Sequence, residues 1–90
     1  MNEPTREIKV KSTTNVKGLS KSLEKILAET DRMALTSIGA GALNQATKAV
    51  VVVSGLYHTK GYELFVQPSF RTSEDGVTSI VSTVTKKQRR

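Results

Sequence analysis

The stretch Ile38-Gly39-Ala40-Gly41-Ala42-Leu43-Asn44-Gln45-Ala46-Thr47-Lys48-Ala49-Val50 holds the residues of this 90-residue chain best suited to holding an anion. A short apolar run ends in a Gly-x-Gly turn, and an Ala-rich segment follows. Gly39 and Gly41 let the backbone turn sharply and leave peptide N–H groups uncovered. A helix starting at Gly41 or Ala42 would aim its first free N–H groups at that turn, where negative charge is favoured. Asn44 and Gln45 add amides and Lys48 adds a positive charge. With a formal net charge of +6, the natural anion is a phosphate.

A second grouping is a lysine stripe. Lys17, Lys21 and Lys25 fall at i, i+4 and i+8, beside the apolar positions Val16, Leu19, Leu23 and Ile26. Read plainly, it is a solvated helix face, with Glu24 and Glu29 offering partial relief. Together with Lys9 and Lys11 on the first strand, it also suits contact with phosphates. Thr13 and Asn15 add a hydroxyl and an amide able to bond phosphate oxygens. Arg71 is the one cation near the acidic turn Glu74-Asp75, which itself would repel phosphates.

Other chemistry is poorly served. Gly39-x-Gly41-x-x-Asn44 falls short of a dinucleotide fingerprint, which needs a following parallel strand and an acidic residue about 20 positions on. His58 is the single histidine and there is no cysteine, so no metal site and no cofactor are expected. No nucleophile–base set or carboxylate pair stands out, and an enzyme is not expected. Few aromatic residues argue against base stacking as the main mode of nucleic-acid contact.

The elements that must position these groups are legible in the periodicity. Residues 7–11 alternate and predict a strand. Ser12-Thr13-Thr14-Asn15 predicts a turn ending in capping residues. Residues 16–30 predict an amphipathic helix, and 33–38 a second strand that exits through Gly39-Ala40-Gly41. Ala42–Tyr57 is ambiguous: Val50-Val51-Val52-Val53 suits a buried strand, whereas the alanines and the length favour a helix that stops at Gly61. Residues 62–71 and 77–85 alternate around the turn Ser73-Glu74-Asp75-Gly76 and predict a hairpin, with Pro68 at an edge or bulge. The polar residues 1–6 and the basic tail 86–90 are expected to be flexible. The order β-α-β-α-β-β is that of an α+β two-layer sandwich.

The bulk numbers agree with one domain and a thin aliphatic core. No apolar run approaches the length of a membrane span, and the N-terminus has no signal-peptide pattern, so a cytoplasmic protein is expected. A pI near 9.9 favours polyanionic partners.

The segment from Ile38 to Val50 resembles the core motif of the stage V sporulation protein S family, a small branch of the Alba-like fold. The likeness is dense over residues 35–57 and looser over 7–34 and 61–85. It implies a single Alba-like domain over 1–90, two helices on a four-stranded sheet, and a helix for Ala42–Tyr57. It also implies homodimers and the binding of DNA or RNA with little sequence specificity. In Alba proteins the loop after the first strand carries basic residues that touch nucleic acid. The comparable loop here is 12–15, edged by Lys11 and Lys17. Where those proteins place a basic residue before the second helix, Gly41 stands. The family's developmental name also permits a regulator that acts through protein contacts.

Overall fold

Alternating charge and apolarity in Arg6–Val10 produces β1, and Asn15 then sets the start of α1 (Val16–Glu29). The Asn15 side-chain oxygen accepts a hydrogen bond from the Gly18 N–H at 2.9 Å, the usual work of an N-cap. β2 (Arg32–Ser37), α2 (Ala40–His58), β3 (Tyr62–Thr72) and β4 (Thr78–Gln88) complete the chain in this computed structural model, which describes residues 6–89.

The four strands form one mixed sheet in the order β1-β2-β4-β3. β1 runs parallel to β2, with Lys9 opposite Thr36, while β4 pairs antiparallel with both β2 and β3. Ile8, Val10, Met33, Leu35 and Val84 turn toward the two helices and meet Leu23, Leu27, Ala46, Ala49 and Val53 in one core. Strand alternation therefore sends Glu7, Lys9, Thr36, Ser79 and Arg71 to the opposite, open face. The expected two-layer α+β arrangement is present.

Val50–Val53 lie inside α2, and the run resolves by face. Val53 is fully buried and Val50 packs against the core, whereas Val51 and Val52 are exposed. Ala42, Ala46 and Ala49, all buried, give α2 a small-residue side that can lie close to its neighbours. Pro68 sits on the edge strand β3, where its missing N–H costs no ladder bond on the outer side.

Three expectations need correction. First, α2 starts at Ala40 rather than Gly41 or Ala42, so only Gly39 serves the turn; its φ is 88°, whereas Gly41 is helical. Second, Arg6 is not part of a flexible lead: it pairs in β1 and its guanidinium meets Glu29 at 2.5 Å. Residues 1–5 lie outside the described residues. Third, the basic tail is not free over 86–89. Lys86 to Gln88 extend β4, and the Lys86 ammonium donates to the Leu27 carbonyl while lying 5.1 Å and 4.8 Å from the Tyr57 and Tyr62 rings. Arg89 is held by its N–H to the Gly61 carbonyl and by its guanidinium to the His58 carbonyl. A lysine with a carbonyl to cap and two ring faces to cover is a structural residue. Arg90 is outside the described residues.

Candidate nucleic-acid interface

β1 and β2 are parallel, and each is followed by a helix, so α1 and α2 both begin at the same end of the sheet. Two contacts tie that end together. The Gln45 side-chain amide donates to the Thr14 carbonyl at 2.8 Å. A Cβ on Gly41 would stand 2.9 Å from the Ser12 Cβ, so loop 11–15 lies directly on the first turn of α2. The loop is itself braced: the Lys11 N–H donates to the Thr14 hydroxyl at 2.8 Å, and the Thr14 N–H to the Lys11 carbonyl at 3.0 Å.

The result is an end rich in free donors. Gly39 offers no side-chain cap, and the first intrahelical bond of α2 runs from the Leu43 N–H to the Gly39 carbonyl. The N–H groups of Ala40, Gly41 and Ala42 therefore have no partner within the helix. Neither helix carries an acidic residue in its first turn. No charged side chain compensates either positive dipole end, and the side-chain cap of α1 is the neutral Asn15. Lys17 and Lys21 stand exposed on α1, Lys48 and Asn44 on α2, and Lys11 and Thr13 on the loop.

The structure brings Lys11, Thr13, Asn15, Lys17, Gly39, Gly41 and Asn44 to this end, with Lys21 in the second turn of α1, whereas Lys48 lies near the middle of α2. Their roles differ from the expected ones in two places. The Asn15 carbonyl oxygen is committed to capping α1. Gly41 is required by its contact with Ser12 rather than by a turn. Glu24 and Glu29, expected to relieve the lysine stripe, face other cations: Glu24 lies 4.0 Å from Lys60, and Glu29 meets Arg6. Among the described residues the stripe has no acidic partner.

Lys9 and Arg71 belong elsewhere, on the open face of the sheet. Arg71 is engaged there. Its two guanidinium nitrogens donate to the two carboxylate oxygens of Glu7 at 2.9 Å and 3.2 Å, and the Thr36 hydroxyl donates to the same carboxylate. The Arg71 hydrogen bonds, followed by that from Thr36, hold the Glu7 carboxyl below its ordinary value. Arg71 is thus a clasp between β3 and β1 and offers little to a phosphate. Sequence reasoning passed over Glu7 and Ser12. Glu7 shares a strand face with Lys9 by simple alternation, but its partner is 64 residues away. Nothing in the sequence signals the contact of Ser12 with Gly41.

This geometry defines a small two-layer α+β domain of the Alba-like type, with a basic end built on two helix N-termini. Residues 6–87 match the family model of Stage V sporulation protein S (SpoVS), and the chain belongs to that family. It is therefore a sporulation-related protein. Among the described residues no helix is long and apolar enough to cross a membrane.

Proposed function

We propose that this chain is a dimeric, non-enzymatic protein that grips the sugar-phosphate backbone of DNA or RNA with little regard to sequence. In the cell it would act as a small architectural or regulatory factor associated with nucleic acid. The observation that carries the reading is the convergence of two acid-free helix N-termini and the cations Lys11, Lys17 and Lys21 at one end of the sheet, with Lys48 exposed further along α2. Helix N-termini and lysines both suit phosphates, and neither reads bases.

Filter binding on duplex and single-stranded DNA and RNA across a salt series tests this reading. Each phosphate contact on duplex DNA contributes about −0.9 to the slope of log K against log salt. Lys17 and Lys21 alone therefore set an expected slope of about −1.8 or steeper. Affinity that stays flat from low to high salt, or no retention at low salt, would remove the proposal. The second outcome would favour a sporulation regulator that acts through protein contacts, a reading supported by the family name and by the exposed acidic turn at Glu74 and Asp75.

The dimer follows from apolar surface. Val51, Val52 and Leu56 are exposed on α2, and Val66 and the 80 % exposed Phe70 lie on the helix side of the hairpin. Among the described residues of one copy, nothing covers them. A second copy, docked about a two-fold axis through α2 and the C-terminal strands, buries the same patch on both sides and doubles the basic surface. Sedimentation at roughly tens of micromolar is expected to return a dimer, and Val51→Glu with Leu56→Glu a monomer. A parent chain that sediments as a monomer would contradict the arrangement.

A further inference from the structure

A cleft of about 650 Å³ opens on the face of the sheet away from the helices, between the end of β1 and the turn of the β3–β4 hairpin. That volume lies in the range of small-molecule sites, roughly 300–1,000 Å³. We propose that this cleft binds a small phosphate-bearing ligand with hydroxyl groups and an apolar body, of the nucleoside monophosphate class.

The charges of the cleft sort themselves. Arg71 and Glu7 are consumed by each other. Asp75 is consumed by its own turn, accepting from the Ser73 hydroxyl. Lys9 and Lys11, two residues apart and both exposed, are the lining cations without an acidic partner among the described residues. Two unpaired ammonium groups at one mouth suit a dianionic headgroup better than a carboxylate.

The floor sets the middle of the ligand. The Thr36 hydroxyl gives its proton to Glu7, and the Ser79 hydroxyl gives its proton to the Arg71 carbonyl at 3.3 Å. Both oxygens then face the cleft as acceptors alone. They call for a ligand with donors of its own, such as sugar hydroxyls. The rim sets the other end. Ile38 and Val77 line the cleft and are 61 % and 41 % exposed. An apolar or planar body laid against them would remove that surface from water, which a bare sugar phosphate cannot do.

Lys11 is shared with the helix end, but Lys9 lies on the opposite layer from Lys17 and Lys21, so Lys9 tells the cleft apart from backbone binding there. The test is a titration of the full chain with adenosine monophosphate, followed by amide chemical shifts and calorimetry. Adenosine, ribose 5-phosphate and inorganic phosphate are run in parallel. Adenosine monophosphate is expected to move the amides of Lys9, Lys11, Thr36, Val77 and Ser79. It is expected to bind at least tenfold more tightly than any of the three fragments. Lys9→Gln should weaken it at least fivefold with unchanged melting, while Lys17→Glu with Lys21→Glu leaves it unchanged. Shifts confined to the helix end, no shifts at millimolar ligand, or adenosine binding as well as its phosphate would each overturn the proposal. Ribose 5-phosphate matching adenosine monophosphate would overturn it too, because the apolar rim would then select nothing.

Discussion

Lys17→Glu combined with Lys21→Glu is expected to weaken duplex binding at least tenfold, about 1.4 kcal/mol or more. The two residues stand exposed on α1 and have no acidic partner among the described residues. Reversing them turns two attractive contacts into two repulsive ones. The salt slope should fall in magnitude by about 1.8, since two counterion-releasing contacts are gone. The fold should not suffer. Lys17 is the second residue of α1, whose first turn holds no acid, and a carboxylate there complements the helix dipole by about 0.3–1 kcal/mol. The two introduced carboxylates would repel one another as the two lysines do now, while the one that replaces Lys21 gains Lys25 one turn on. Stability therefore holds or rises as affinity drops, and that opposition separates a lost contact from a lost fold. A variant that melts like the parent and binds like the parent would take the contact surface off the helix end.

How far the sequence carries depends on the distance over which each constraint acts. The element order was legible because strand alternation in Arg6–Val10 and the helical spacing of Leu19, Leu23, Ile26 and Leu27 are local. Asn15 was legible as a cap for the same reason. Val50–Val53 was not, since four β-branched residues in a row give no period. Burial of Val53 beside exposure of Val51 and Val52 settles the face only after α2 has docked.

The candidate site was legible in its charges and illegible in its pairings. Lys17 and Lys21 could be read as a stripe because their spacing acts within one helix. Arg71 was assigned to phosphate because its partner is fixed by sheet register, with β4 and β2 standing between β3 and β1. Lys86 was assigned to a free tail because a run of charges looks solvated. The Leu27 carbonyl and the Tyr57 and Tyr62 rings that receive it come from three separate elements or their edges.

Gly41→Ala is expected to lower stability by about 1–3 kcal/mol, the range for forcing atoms into an occupied space. Intrinsic helix preference argues the other way, because alanine exceeds glycine by up to about 1 kcal/mol within a helix and the φ of Gly41 is not positive. The new methyl, however, would lie 2.9 Å from the Ser12 Cβ and 3.8 Å from its Cα. A Cβ cannot rotate away, so the loop must move. That movement strains the 2.8 Å hydrogen bond from Gln45 to the Thr14 carbonyl. Ser12→Gly removes the obstructing atom. In that background Gly41→Ala should be neutral or stabilising, so the two substitutions couple by roughly 0.5–3 kcal/mol in a double-mutant cycle. Thermal or urea unfolding reads the cycle directly. Equal costs of Gly41→Ala in both backgrounds would mean that Ser12 is not what the glycine makes room for. Binding measured on the relieved pair then separates two contributions at the basic end. The free N–H groups of α2 are intact in it, whereas the Ser12 side chain is gone. Retained affinity would credit the helix terminus, and lost affinity would credit the loop.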